Sequence, residues 1–175
     1  ERQKLEEKIK AEQARLAAEK QEMLEMSLTH ETGLQNLQFK PVLAKLYADN
    51  QYELLWKDKD AVQHLLRDYA AMVASGISKR SAQSLEQLAQ LEQQEGLAYD
   101  VLLSDIFLDY LYYSQNVAQQ AQRWLYSPNT YKAQQPSQEN LDDWLRAIKT
   151  EQLSAFVQNL SSDNHLYRQT IQALP

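Results

Sequence analysis

Two aspartates, Asp105 and Asp109, stand four residues apart in the most apolar stretch of the chain. This spacing places both carboxylates on one face of a helix, and paired carboxylates can perform acid–base chemistry or bind metal ions. Di-metal helical bundles, however, take Glu-x-x-His pairs from facing helices, and the sequence contains no such pair. We therefore predict that both aspartates are structural, as solvated or hydrogen-bonded groups beside the core.

The three histidines, His30, His64 and His165, lie far apart and have no Ser or acidic partner at a recognisable catalytic spacing. The sequence contains no glycine-rich phosphate loop, no GxSxG and no HExxH. It also contains no cysteine, which excludes a thiolate nucleophile, a disulfide framework and a Cys-based zinc site. We predict that the chain has no catalytic, cofactor-binding or metal-binding residue, needs no cofactor and is inactive as an enzyme.

Aromatic residues are concentrated in the same apolar stretch and just after it. Tyr and Trp suit half-wet surfaces, where they stack on sugar rings or on the apolar residues of a partner. Because adjacent residues of a helix point in different directions, only part of this group can be exposed together, and we expect most of it to be core. The group comprises Tyr99, Phe107, Tyr110, Tyr112, Tyr113, Trp124 and Tyr126.

The overall composition predicts an all-α fold, a compact multi-helix domain preceded by a long charged helix. Only three glycines and four prolines occur in 175 residues, which favours long helices with few turns. We expect more than about 65% helix and no sheet beyond a short pairing near Tyr52. The net charge of −6 opposes binding to nucleic acid phosphates. No apolar stretch is long enough for a membrane span, so we expect any export signal or anchor to lie upstream of Glu1.

Residues 1–38 are predicted to form a charged helix or linker. Read as a coiled-coil heptad, one seam position carries Ile9, Leu16 and Met23, while the other carries Leu5, Glu12, Glu19 and Met26. Only half of the seam is apolar, so we expect an exposed helix that pairs weakly, with Gly33 as a candidate break.

Residues 39–175 are predicted to form the helical domain, because core-spaced apolar residues begin at Phe39. Predicted helices cover 41–48, a segment capped by Asp58 and ended by Gly76, 81–95, and a central helix over 98–126. A loop with two prolines follows, and then three short helices capped by Ser137, Thr150 and Asp163. On the central helix, Leu103, Phe107 and Tyr110 share one face, and we expect Trp56 to cover one end of this structural core.

The ordered landmarks resemble the N-terminal region of large YcbB-like murein L,D-transpeptidases over residues 39–174. The resemblance is carried by Leu46-Tyr47, Tyr52, Leu55-Trp56, Ala61, Leu65-Leu66, Ala70, Gly76-Ile77, the run from Asp100 to Tyr110, and the run from His165 to Leu174. It implies a helical scaffold set before a peptidoglycan-binding module and a catalytic domain with a cysteine nucleophile. The catalytic motif of that domain contains the cysteine and has no counterpart in this cysteine-free chain. No catalytic residue is therefore assigned from the resemblance.

The resemblance implies a periplasmic parent enzyme that forms 3-3 peptidoglycan cross-links, with this chain positioning its other domains. Expected partners are those domains, and peptidoglycan or another envelope protein. A rival hypothesis is a stand-alone helical adaptor that binds a protein through the 1–38 helix. A third is a divergent helical muramidase, although no carboxylate stands in an identifiable catalytic context.

Overall fold

The computed structural model describes residues 1–30, 37–91, 96–127 and 129–160. Within these ranges the chain forms seven helices and no strand, and the structure is 78% helical, which confirms the all-α prediction. The helices are α1 (Arg2–His30), α2 (Lys40–Asp49), α3 (Lys59–Ala74), α4 (Lys79–Leu91), α5 (Leu97–Tyr126), α6 (Gln138–Lys149) and α7 (153–160).

Three helix ends follow the local signals in the sequence. The Asp58 carboxylate accepts hydrogen bonds from the amides of Asp60 (3.0 Å) and Ala61 (3.2 Å), so it caps the start of α3. Gly76 follows the end of the same helix with φ +79°, a left-handed conformation that glycine adopts without strain. The Ser137 hydroxyl accepts from the amide of Asn140 (3.1 Å) and caps α6. These caps confirm the predicted boundaries.

The prediction that Thr150 begins a helix is wrong, because Thr150 ends α6 instead. Its amide and its hydroxyl both donate to the carbonyl of Arg146, at 2.9 and 2.8 Å. A threonine hydroxyl can cap a helix start by accepting or close a helix end by donating, and the sequence does not distinguish the two. Glu151 then turns the chain with φ 58°, and α7 begins at residue 153. The predicted cap Asp163 lies outside the described residues.

The segment near Tyr52, where at most a short strand pairing was expected, forms a tight turn. Gln51 and Tyr52 both have left-handed backbone, with φ 55° and 57°, and the Tyr52 amide donates to the Tyr47 carbonyl (2.8 Å). Tyr52 and Trp56 are buried, so the connection between α2 and α3 belongs to the core. Gly96 stands at the start of α5, one residue after the end of the helix predicted over 81–95. Residues 92–95 and the candidate break at Gly33 lie outside the described ranges.

Helix α5 is the centre of the domain and contacts α1, α2, α3 and α4. Every residue from Asp100 to Leu111 is buried, so this segment has no solvent-facing side. The core also includes Leu37, ahead of Phe39 where the domain was predicted to begin.

Helix α1 is exposed along its described side chains. Leu5, Ile9 and Leu16 are 60%, 49% and 42% exposed. Arg15 donates to Glu19 (3.1 Å) and Glu12 (2.5 Å) within the same helix. None of the described helices is both long enough and apolar enough to cross a membrane.

Candidate functional site

The chemically richest part of the domain is a row of polar residues on α5, which we call the α5 polar network: Asp100, Ser104, Asp105 and Asp109. All four are buried in the most apolar helix of the chain. They form two pairs with a spacing of four residues, Asp100 with Ser104 and Asp105 with Asp109, and the two pairs point to different sides of the helix. Burial of carboxylates is costly unless hydrogen bonds satisfy them, so their partners decide what they do.

Asp100 ties the connection between α2 and α3 to α5. Its carboxylate accepts hydrogen bonds from the amides of Leu55 (3.0 Å) and Trp56 (2.9 Å), and from the hydroxyl of Tyr47 on α2. Burial raises the pKa of Asp100, and the three donors counteract that rise. Burial, together with the neighbouring carboxylate, raises the pKa of Tyr47 well above its usual value, so the phenol stays protonated and donates.

Ser104 extends this arrangement into a chain of hydrogen bonds. The indole Nε1 of Trp56 donates to the Ser104 hydroxyl (2.9 Å), which also lies 2.8 Å from the Tyr47 hydroxyl. Because Tyr47 donates its proton to Asp100, Ser104 must donate to Tyr47. The direction of every bond in the chain is therefore fixed, from the Trp56 indole to the Asp100 carboxylate.

Asp109 ties three further segments to α5. One carboxylate oxygen accepts from the hydroxyls of Tyr69 on α3 and Ser81 on α4, both at 2.5 Å. The other accepts from the hydroxyl of Tyr131, in the loop after α5, at 2.6 Å. Burial, followed by the Asp109 charge, raises the pKa of both tyrosines well above the usual value. Both phenols therefore act as hydrogen-bond donors.

Asp105 holds the segment that leads into α2. Its Oδ1 accepts from the amides of Gln38 and Phe39, each at 3.0 Å. Its Oδ2 is buried and has no hydrogen-bond partner among the described residues. Burial raises the pKa of Asp105 to about 7, while the two amides lower it. Of the three carboxylates it is the least completely satisfied.

The network is arranged for architecture, because its hydrogen bonds go to segments of the chain itself. Asp105 and Asp109 were predicted to be structural, and Asp109 accepts three hydrogen bonds from side chains of its own domain. In the described ranges no group of three or more His, Asp or Glu side chains is placed to hold a metal ion. The carboxylates hold elements of the domain together.

The four residues named as structural core are all buried and lie close to the network. Phe107 is the centre of an aromatic cluster, with its ring centroid 5.5 Å from that of Trp56 and 4.6 Å from that of Trp144 on α6. Phe156 on α7 lies 6.2 Å away. Leu103 and Tyr110 are buried on the same helix. The cluster therefore joins the α2–α3 connection, α5, α6 and α7.

His64 lies on the surface between α3 and α7 in a polar group without catalytic geometry. Its Nε2 lies 3.7 Å from the Asp60 carboxylate and 3.1 Å from the amide nitrogen of Gln158. The Ser154 hydroxyl bonds directly to Asp60. In a nucleophilic triad the histidine stands between the hydroxyl and the carboxylate. Here the Asp60 carboxylate stands between the Ser154 hydroxyl and the His64 ring, so the order does not match. His165, and the side chain of His30, lie outside the described set.

The second half of α5 carries a separate aromatic cluster. Trp124 is buried, stacks on Tyr113 with centroids 5.9 Å apart, and meets Tyr131 edge-on at 4.9 Å. Tyr126 is 82% exposed and its neighbour Leu125 is 59% exposed. Most of the predicted aromatic group is therefore packed inside the domain, and its exposed part is small.

A cleft of about 560 Å³ opens between the α2–α3 connection and the α6–α7 turn. Leu55 and Leu153, both buried, form part of its wall, and Lys149 and Glu151 bring both signs of charge to it. A smaller groove of about 300 Å³ runs between α2 and α6. The cleft carries charges of both signs and the smaller groove has an apolar floor. Neither feature favours a single class of ligand.

Sequence reasoning missed two members of the network, Asp100 and Ser104, and the partners Tyr47, Tyr69 and Ser81. One signal could have found the α5 members. Two pairs of polar residues, at 100 and 104 and at 105 and 109, interrupt an otherwise apolar helix and mark buried groups that need hydrogen-bond donors from elsewhere. The donors themselves are ordinary tyrosines and serines whose role depends on tertiary contacts.

Comparisons with known proteins agree with this architecture. The family described as "Scaffold domain" matches residues 41–174. A Haemophilus influenzae protein named "Putative L,D-transpeptidase" is 62% identical over all 175 residues of the chain, which spans 36% of the length of that relative. Both findings confirm the resemblance to this region of L,D-transpeptidases. The chain belongs to the Scaffold domain family.

Proposed function

We propose that this chain is the non-catalytic helical scaffold of a cell-envelope L,D-transpeptidase that forms peptidoglycan cross-links. Its role is to position the substrate-binding and catalytic domains, which lie in other parts of the parent protein. The observation that carries the proposal is the match of the whole chain to 36% of a longer relative named as an L,D-transpeptidase. The cysteine required for transpeptidation chemistry is absent from this chain.

The buried contacts support a positioning role in physical terms. The α5 polar network and the Phe107 cluster connect α2, α3, α4, α6 and α7 to a single central helix. A block tied together in this way can hold two modules at a fixed separation, which reduces the orientational freedom lost when a polymer engages both. A flexible linker of the same length would not supply that advantage.

The parent enzyme would act in the periplasm, with peptidoglycan or another envelope protein as an additional partner of the assembled protein. The rival hypothesis, a stand-alone adaptor that binds through α1, gains no support from the comparison, since the relative matches α1 together with the rest of the chain.

The non-catalytic half of the proposal is tested on the isolated chain. We expect purified chain incubated with muropeptides to give neither cross-linked nor cleaved products by mass spectrometry, because it has no thiol and its buried carboxylates are engaged in structural hydrogen bonds. A new product above the buffer control would refute this half and would revive the muramidase hypothesis.

The positioning half is tested in the full-length parent with matched aromatic variants. Phe107→Ala, in the centre of the core, should lower cross-linking while the catalytic thiol still reacts normally with a small electrophile. Tyr126→Ala, at an exposed position of the same helix, should change neither readout. Undiminished cross-linking by a destabilised Phe107→Ala protein would defeat the positioning role.

A further inference from the structure

Ring contacts between the two halves of α5 require this helix to be sharply bent. Trp124 lies eleven positions after Tyr113, a separation of about 16 Å along a straight α-helix. The centroids of these two rings are only 5.9 Å apart, and the ring of Tyr112 lies 6.4 Å from that of Trp124. The gentle curvature of ordinary long helices is too small to close this gap. The helix therefore bends between residues 113 and 124, toward the face that carries the rings.

The bend is not caused by glycine or proline, because α5 contains neither residue. Two side chains at its start bond to backbone carbonyls of the preceding turn. The Ser114 hydroxyl donates to the Leu111 carbonyl (2.9 Å), and the Asn116 side-chain amide donates to the Tyr112 carbonyl (2.8 Å). Bonds of this kind compete with the backbone ladder and make a helix easy to bend. Other contacts must then hold it bent.

The part of α5 beyond the bend, residues 118–126, forms what we call the arm, and it is lightly attached to the domain. Trp124 is its one buried side chain, Gln120 and Ala121 are half-buried, and the other six residues are exposed. No side chain of the arm hydrogen-bonds to another described residue. A segment with so few buried contacts opens more readily than the core of a domain.

Trp124 is held in place by three tyrosines, and these four rings form what we call the aromatic clasp: Tyr112, Tyr113, Trp124 and Tyr131. Tyr131 comes from the loop after α5 and meets the Trp124 ring edge-on at 4.9 Å. Its hydroxyl bonds to Asp109 on the buried half of α5 (2.6 Å). Stacked and edge-on ring pairs attract one another beyond simple burial. The clasp therefore joins the arm to the buried half of the helix.

We propose that the arm is a hinged element and that the aromatic clasp is its latch: the closed clasp holds α5 bent, and its release lets the helix straighten. Straightening exchanges the ring contacts for a regular backbone ladder, which the Ala- and Gln-rich sequence of the arm favours. The loop of residues 127–137 reaches about 36 Å when extended, so α6 can stay in the core while the arm swings out.

This inference goes beyond the proposed positioning role, because it concerns a movement inside the domain. It requires neither the catalytic domain nor peptidoglycan. Its failure would leave the scaffold proposal intact, and failure of the scaffold proposal would leave the hinge intact.

Pulsed electron resonance on the 175-residue chain measures the bend directly. The chain has no cysteine, so Leu97→Cys and Gln122→Cys introduce two unique positions for spin labels. These positions are 25 residues apart, which corresponds to about 38 Å on a straight helix. The proposal predicts one native distance, clearly shorter than that value. A native distance equal to the straight-helix value would overturn the bend and the hinge with it.

Substitutions in the doubly labelled chain test the latch. Trp124→Ala removes the central ring of the clasp and should add a population at the straight-helix distance of about 38 Å. Leu125→Ala, at the adjacent and exposed position, is the matched control and should keep the native distance. Should circular dichroism show that Trp124→Ala does not fold, Tyr131→Ala, which opens the clasp from outside α5, decides with the same expectation. A folded variant of either kind that keeps only the native distance contradicts the latch.

Discussion

The two longest helices, α1 with 29 residues and α5 with 30, are nearly equal in length and opposite in environment. The described side chains of α1 are exposed apart from the half-buried Ala17, whereas α5 is buried on all sides from Asp100 to Leu111. Helix α1 contacts α5, but its ion pairs, Glu12–Arg15–Glu19, lie within the helix itself. Helix α5 depends on contacts with other elements. The comparison shows that helix length alone says little about what stabilises a helix.

The two helices also differ in their polar side chains, which are exposed charges on α1 and buried carboxylates on α5. On α1 the charges face water, where an ion pair within a helix contributes only a few tenths of a kcal/mol. On α5 the carboxylates are desolvated, so each hydrogen bond they accept is costly to lose. Substitutions in the two helices should therefore have very different effects on the free energy of unfolding.

The largest effect is expected at the centre of the aromatic cluster. Phe107→Ala or Trp56→Ala should lower the free energy of unfolding by roughly 3–5 kcal/mol, because each leaves a cavity among buried rings. Thermal and urea unfolding measure the change. Tyr126→Ala is the matched control and should change stability little. Unchanged melting of the Phe107 variant would defeat its assignment to the core.

A smaller but still large effect is expected in the α5 polar network. Asp109→Ala leaves the hydroxyls of Tyr69, Ser81 and Tyr131 without their acceptor, which should cost about 3 kcal/mol. Asp49→Ala, at an exposed position, is the control. Urea denaturation of both variants gives the comparison, and equal stabilities would show that the Asp109 hydrogen bonds contribute nothing net.

The smallest effect is expected on α1. Arg15→Ala removes both intrahelical ion pairs and should change the free energy of unfolding far less than Asp109→Ala does, since the three side chains are solvent-exposed. Circular dichroism at increasing salt concentration should show the residual difference shrinking. A loss as large as that of Asp109→Ala would mean that α1 is held by tertiary contacts, and the contrast between the two helices would fail.

The sequence predicted the features that depend on neighbouring residues. Asp58, Gly76 and Ser137 mark helix ends through local chemistry, and the apolar run of α5 identifies the central helix. Thr150 was misread because its hydroxyl can act at either end of a helix. The division into residues 1–38 and 39–175 stays a prediction.

The hydrogen-bond partners in the α5 polar network could not be predicted, because they lie far apart in the sequence. Tyr47 and Asp100 are separated by 53 positions, and Asp105 meets the Gln38 amide across 67. No periodicity links such pairs, and a backbone amide as partner leaves no trace in the sequence. The sequence predicted only that Asp105 and Asp109 share a helix face beside the core, as solvated or hydrogen-bonded groups, and not that they are fully buried.

The claim that this domain positions other domains is tested most directly by a distance measurement in the full-length parent. One spin label in the substrate-binding domain and one in the catalytic domain would report the distribution of their separation by pulsed electron resonance. The account predicts a narrow distribution for the native protein and for Tyr126→Ala, and a clearly broader one for Phe107→Ala. A native distribution as broad as that of Phe107→Ala would contradict it.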